Sequence, residues 1–382
     1  MPPDLTAWRG EFPILASTTY LISNSLGAMP RGTRERLTAY ADLWAGRGVR
    51  AWEEEWWELP ARVGDQVAAL LGAPPGSVAM LPNVTLAEAA VLSCFEPAGR
   101  RTKIVFEDEN FPSVQYFYSR QPGWRVTPVP RERLLDAIDE ETLLVPVSHV
   151  LFKSAYVQDA AAIVAKAHRV GALVVLDVFQ SVGVLPLDVT ALGVDFAVGG
   201  CLKWLCGGPG NAFLYVRPDL RGHLEPKLTG WAAHRRPFDF APPPMEYADT
   251  AYRFLNGTPA VPCLYGAAEG LRIIGAVGPH AIRAHSLRLT DRLLAKADAA
   301  GLPSITPREP ERRGGTVAVN PPGAEAICRE LLARDILVDY RPGAGIRIAP
   351  HFYNTEDECD AAFAEIAVLA AGRPGLRDTL SR

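Results

Sequence analysis

Two stretches, ALVVLDVFQS (172–181) and DFAVGGCLKWLCGGPGNAFLYV (195–216), decide how this chain folds. ALVVLD is a short continuous apolar run, the pattern of a strand buried on both faces. It ends in a carboxylate, Asp177. A second such strand, DFAVGG, runs into Lys203, which lies 26 positions after Asp177. The glycines on either side of the lysine permit unusual dihedrals and a close backbone approach to a ligand. Open α/β sheets bind ligands at the carboxyl ends of their strands, and both Asp177 and Lys203 are expected there.

Outward from this pair, helical and strand-like stretches alternate. AWEEEWWELPARVGDQVAALLG (51–72) is amphipathic and reads as one helix, and LAEAAVLSCF (86–95) as another. RTKIVFED (101–108) and TLLVPVSHV (142–150) read as strands, and QDAAAIVAKAHRVG (158–171) as a helix with a glycine stop. The order predicts an α/β domain with a mainly parallel sheet. Beyond residue 265 two consecutive helices lead into strand 316–320, helix 325–335, strand 345–350 and helix 357–372, an α+β pattern. The expected organisation is an N-terminal segment (1–45) packing on the small domain and the active site, a large domain (46–262), and a small C-terminal domain (263–382). APPPMEY (241–247) reads as a loop, and the tail GRPGLRDTLSR is expected to be mobile.

Composition narrows the function classes. The 382 residues suffice for two domains, and 48% of them are hydrophobic. A net charge of −4 with no basic block argues against nucleic acid or an anionic membrane as the main partner. No apolar run approaches a membrane span, and MPPDLTAWRGEF contains no stretch suited to a signal peptide. The six cysteines form no CxxC pair and the seven histidines no HxxxH pair, so reduced thiols, a cytoplasmic location and no metal site are expected.

The Asp-to-Lys arrangement is suited to pyridoxal 5′-phosphate (PLP). An amine captures an aldehyde only when neutral, and the apolar neighbours Cys201, Leu202, Trp204 and Leu205 favour the neutral form of Lys203. Asp177 would keep the pyridine nitrogen protonated, which lets the ring accept electrons from Cα. Gln180 could donate to the ring phenolate. The phosphate needs N–H groups at a helix start, and MLPNVTLAEAAVL (80–92) offers one, with Asn83 or Thr85 as cap and Glu88 at capping-box spacing. Thr258 in NGTPA could reach a phosphate, Phe111 in ENFPS could stack on the ring, and Arg347 in GIRIAP could bind a substrate carboxylate bidentately.

With these motifs in place, the chain resembles the class V aminotransferase family of fold-type-I PLP enzymes, and above all its kynureninase-like members. The resemblance rests on YLISNSLGAMP (20–30), GDQVAALLGA (64–73), FPS (111–113), SHVLFKS (148–154), GVDFAVGGCLKWLCGGPG (193–210), TGW (229–231), GTP (257–259) and RPGAGIRIAPHFYN (341–354). It implies that Lys203 tethers the cofactor, that Asp177 holds its ring nitrogen, and that Val84 and Thr85 bind its phosphate. It also implies that Phe111 stacks on the ring and that Ser148, Trp231 and Thr258 line it, the last two from a neighbouring subunit of a homodimer. Arg347 would hold the substrate carboxylate, with Asn24 and Ser25 also facing the substrate. Three positions depart from the kynureninase pattern: Leu202 stands where a tyrosine is usual, Gln180 where a histidine is usual and, as a milder change, Val114 where an aspartate is common. The expected activity is hydrolytic Cβ–Cγ cleavage of a kynurenine-type β-keto amino acid to an aryl acid and alanine. The alternatives are another class V reaction (transamination, epimerisation or β-elimination) and, remotely, a non-catalytic PLP-fold binding protein.

Overall fold

The computed structural model describes residues 5–372. Apart from Gly372, the tail GRPGLRDTLSR lies outside the described residues. In chain order the strands are β1 (Thr19–Tyr20), β2 (Val78–Leu81), β3 (Lys103–Glu107), β4 (Arg125–Val129), β5 (Thr142–Ser148) and β6 (Leu173–Asp177). They continue with β7 (Phe196–Gly200), β8 (Ala212–Val216), β9 (Val317–Val319), β10 (Ile336–Leu337), β11 (Asp339–Arg341) and β12 (Gly345–Ile348).

Seven strands form the central sheet in the order β2-β8-β7-β6-β5-β3-β4. From β7 across to β4 every neighbouring pair is parallel, and β8 alone runs against its neighbours. The apolar runs read from the sequence explain this. Strands β3, β7 and β8 are buried at every position, as a sheet covered by helices on both faces requires. The helix Ala160–Val170 ends where expected, with Gly171 in the left-handed conformation at φ 77°.

The chain goes from β3 outward to β4 and then returns to place β5 on the other side of β3. The β3–β5 ladder pairs Lys103 with Thr142 and Ile104 with Leu144, with a register shift between them. Beyond that point side chains supply the cross-links. Glu107 Oε1 accepts the Ser148 N–H at 3.0 Å, and Asn110 Nδ2 donates to the Pro146 carbonyl at 3.1 Å. The reversal of strand order and this loss of ladder open the crevice in which a ligand can sit.

Smaller pieces bind the N-terminal and C-terminal segments together. β1 pairs in parallel with β10, and Ile22 bridges Ala349. Arg9 grips Glu358 with both terminal nitrogens at 2.9 Å. β9, β12 and β11 form an antiparallel sheet whose core, with Leu289, Leu293, Ile327 and Phe363, is separate from that of the large sheet. Helix Val261–Val277 instead packs on helices Thr33–Arg47 and Leu59–Leu70, and its Leu264, Tyr265 and Ile274 join the core of the large sheet.

Three sequence expectations change. The helix expected over 51–72 is broken into a wide turn, Trp52–Trp56, and a helix, Leu59–Leu70. Pro60 has no N–H to give to the Trp56 carbonyl, so one helix cannot run through and a new one starts with Pro60 in its first turn. The helix expected at 86–95 begins earlier, at Val84, because Asn83 is the cap and accepts the Leu86 N–H at 3.0 Å. Glu88 does not close a capping box. It is buried and accepts the Tyr118 hydroxyl, and burial pushes its carboxyl up to about 8. Strands β1, β2, β4 and β10 and helix Thr33–Arg47 carry no distinctive sequence pattern and emerge only in the folded chain.

Candidate active site

Strand ends bring the reacting groups together. Ser148 and Asp177 are register partners at the carboxyl ends of β5 and β6. Lys203 follows the end of β7 by three residues, in the turn before β8. Asp177 is buried. Its Oδ1 accepts the Phe179 N–H at 2.8 Å, and no cation among the described residues forms an ion pair with it. Burial raises its pKa, opposed by that N–H and by the charge of Lys203.

The Lys203 amine lies 4.2 Å from the centroid of the Phe179 ring and 5.6 Å from that of Phe111. Phe111 in turn meets the edge of Phe152 at 5.3 Å. With little water around it, the amine is pushed down to about 8; Asp177 opposes this shift, and Arg347 adds to it. A lysine so placed is neutral in part near physiological pH, far more than an exposed lysine, and able to act as a nucleophile and base.

The turn holding Lys203 is clamped from three sides. The Gly27 N–H donates to the Leu202 carbonyl at 3.0 Å, and Cβ of any larger residue at 27 would lie 2.1 Å from the Lys203 oxygen. Gly270 approaches from helix Val261–Val277, where a Cβ would lie 2.2 Å from the Leu205 oxygen. His351 Nε2 sits 2.8 Å from the Trp204 carbonyl, while the Trp204 indole donates to Gln180 Oε1 at 3.1 Å. Gln180 Nε2 then donates to the Asn24 carbonyl at 3.0 Å, leaving its second proton for a ligand. The Asn24 side chain is buried with neither amide atom partnered, which marks the place of a polar group from a ligand. Ser25 stands in the same turn, its N–H on the Ile22 carbonyl.

The other expected residues are distributed as follows. Val84 and Thr85 open a helix that packs across β7 and β8, and their N–H groups meet no acceptor among the described residues. Ser148 Oγ donates to Asn110 Oδ1 at 3.2 Å. Arg347 is buried at 2% exposure, with Nε and Nη2 on Asp339 at 2.7 and 2.5 Å and Nη1 on the Phe152 carbonyl at 2.6 Å. One proton on each terminal nitrogen remains, so its fork is partly occupied by the protein itself. Trp231 and Thr258 stand apart from Lys203. Trp231 belongs to an aromatic cluster with Trp57, Phe238 and Phe240, and Thr258 lines a small cavity beside Pro82 and Gly210.

Sequence reasoning did not single out Phe179, Phe152, Glu107 or Asp339. Asp339 was within reach: DYRPGAGIR has the form of two strands around a glycine turn, which sets Asp339 opposite Arg347. Phe179 gave no signal, because only the turn after β6 swings it toward the lysine.

The arrangement fits PLP. Unpaired N–H groups at a helix start suit its phosphate, a buried carboxylate without an ion-pair partner among the described residues suits a protonated ring nitrogen, and a desolvated amine suits its aldehyde. No helix among the described residues is long and apolar enough to cross a membrane, and no cluster of His, Cys, Asp or Glu there could hold a metal.

Comparison with known proteins agrees with this chemistry. The family model "Aminotransferase class-V" matches residues 19–360. An uncharacterized aminotransferase, YcbU, of Bacillus subtilis is 33% identical over 94% of this chain and 96% of its own length. Kynureninases of Burkholderia pseudomallei and Pseudomonas fluorescens are each 33% identical over 88% of this chain and 85% of theirs. Among solved structures, a cysteine desulfurase from Thermococcus onnurineus superposes with a TM-score of 0.84 at 21% identity, covering 96% of this chain and 98% of that one. The cystine C–S lyase C-DES gives 0.83 at 23%, covering 93% and 99%. These last two bear on the fold alone. The chain therefore belongs to the class V aminotransferase family, with the fold-type-I architecture and PLP as its cofactor.

Proposed function

We propose that this protein hydrolyses the Cβ–Cγ bond of a kynurenine-type keto amino acid, releasing an acyl-derived acid and leaving alanine. The observation that carries the reading is the wall of phenyl rings beside the Lys203 amine: Phe111 is left to the cofactor ring, and Phe152, packed against it, suits a flat, aryl-bearing side chain. The 33% identity to kynureninases over most of the chain supports it.

PLP, when bound, draws electrons away from Cα of the attached amino acid. The chain supplies the rest. Val84 and Thr85 would hold the phosphate, and Asp177 would keep a proton on the ring nitrogen. Arg347 would orient the substrate carboxylate through its remaining protons. Lys203, neutral above about 8, would take the proton from Cα, and the phenyl wall would exclude bulk water. Leu202 offers no hydroxyl beside the lysine, so the Lys203 amine is the proton carrier in this scheme.

That same leucine favours a second reading, transamination, in which one lysine suffices to move a proton between two carbons. Desulfuration has no support of this kind. No cysteine lies in segment 341–350, and burial pushes Cys94, Cys201, Cys206 and Cys359 up to about 12 and Cys328 to about 11.

A homodimer completes the proposal. Leu26, Met29 and Leu37 are exposed around an apolar groove of about 660 Å³ that also includes Gly27, Cys206 and Pro262. A second copy covering this face accounts for their exposure. Trp231 and Thr258 would then serve the neighbouring copy's cofactor.

Four outcomes are expected. L-Kynurenine or a ring-substituted relative, given to the PLP-loaded protein, yields alanine and the matching anthranilate. Exchange of amino groups with keto acids, without alanine release, would replace hydrolysis by transamination. The rate at which apo-protein takes up PLP rises with pH through a midpoint near 8, because only the neutral amine reacts, and Lys203→Ala forms no yellow complex. A midpoint near the ordinary lysine value would contradict the desolvated site. Asp177→Asn lowers turnover ~100-fold or more. Its apo-form melts no lower than wild type, since the raised pKa means that the buried charge opposes folding at neutral pH. A clear drop in melting temperature would contradict this. Light scattering reports a dimer that Leu37→Glu splits; a monomeric wild type would discard the interface.

A further inference from the structure

The charges around the crevice do not balance once PLP and a substrate carboxylate are assigned. Asp177 is taken by the ring nitrogen, and the phosphate by the start of helix Val84–Leu92. On the opposite wall Asp339 is shared between two arginines. Its Oδ2 lies 2.5 Å from Arg347 Nη2 and 3.0 Å from Arg341 Nη2, so the two guanidiniums are neighbours. Arg347 is buried, whereas the Arg341 side chain keeps 41% of its surface. One carboxylate between two arginines leaves one positive charge over, and the substrate's α-carboxylate answers it.

A further cation then has no counterpart. Lys153 follows Phe152, whose carbonyl holds Arg347. Its amine lies 5.7 Å from the centroid of the Phe152 ring, and a Cβ built on Gly343 would lie 3.8 Å from it. Gly343 is in the turn between β11 and β12, two residues beyond Arg341. Lys153 is half-buried, and no ion pair among the described residues includes it. Other cations nearby are already paired. Arg131 binds Glu109 and Glu132, and Arg312 faces Asp159. Phe152, whose carbonyl holds Arg347, packs against Phe111, and the Lys203 amine lies 5.6 Å from the Phe111 ring, which places this hairpin near the lysine.

We propose that Arg341 and Lys153 recognise a second negative charge, carried at the far end of the substrate's side chain. This rests on the reading of Arg347 as the α-carboxylate arginine and extends it. The substrate class is then an L-α-amino acid whose side chain ends in an anion, which for the proposed reaction is a keto amino acid with an acidic group on its aryl ring: the apolar body of the side chain lies on Phe152, and its charged end on the two cations. Arg341 Nη1 donates one proton to the Tyr340 carbonyl and Nη2 pairs with Asp339, so its fork is partly occupied; its remaining protons and the point charge of Lys153 suit a carboxylate.

The test is calorimetric titration of the PLP-loaded protein with acid and amide partners of matched shape. The pairs are L-aspartate and L-asparagine, L-glutamate and L-glutamine, and 4-carboxy- and 4-carbamoyl-L-phenylalanine. In at least one pair the acid binds ~10-fold or more tightly than its amide. The pair that shows this distinguishes an aliphatic from an aryl side chain. Arg341→Met removes the preference, and so does Lys153→Met, which leaves Asp339 and Arg347 untouched and keeps amide affinities within ~2-fold. Equal binding of acid and amide in every pair overturns the proposal, as does a full preference retained in Lys153→Met. Arg347→Met weakens both members of each pair. If it weakens neither, the reading of Arg347 fails, while the acid-to-amide ratio still reports on Arg341 and Lys153.

Discussion

The active site depends on two opposite charges held in a poorly hydrated crevice without being allowed to neutralise each other fully. Asp177 is raised in pKa and Lys203 lowered, both by burial first and by neighbours second. Each is therefore in a costly state, and the proposed placing of the cofactor would relieve both: the carboxylate by a protonated ring nitrogen, the amine by a covalent bond. Much of the surrounding structure serves to keep the two in these positions.

The sheet sets where they stand. A reversal of strand order between β3 and β5 opens the crevice, and the side chains of Glu107 and Asn110 bridge strand ends that the ladder no longer joins. The lysine turn, by contrast, has almost no regular structure of its own. Gly27 and Gly270 let two distant segments approach its carbonyls, and His351 and Gln180 reach Trp204 within it. The N-terminal segment thus touches the turn that carries Lys203, and its pairing with β10 and Glu358 links that turn to the C-terminal sheet.

Much of this was legible along the chain. Unbroken apolar runs ending in Asp177 and shortly before Lys203 require burial on both faces, and so imply strands of a covered parallel sheet. Gly171 stops its helix as glycine does where φ is positive. Other features were opaque. The capping-box spacing of Glu88 was a true local option, but burial next to Tyr118 outweighed it. The amphipathic pattern over 51–72 was real, yet the missing N–H of Pro60 overrode it. Arg347 was identifiable as a strand arginine, whereas the carboxylate opposite it depended on recognising a hairpin.

The sequence by itself determined the cofactor chemistry, because the amine, the acid and the glycines that let them be approached are local choices of residue type at the ends of recognisable strands. Only the tertiary structure decided which side chains surround that chemistry. Phe179, Asn24 and the strand Asp339–Arg341 come from three separate segments, and the desolvation and field that shift the amine are sums over neighbours far apart in the chain, which no reading of one segment at a time can supply.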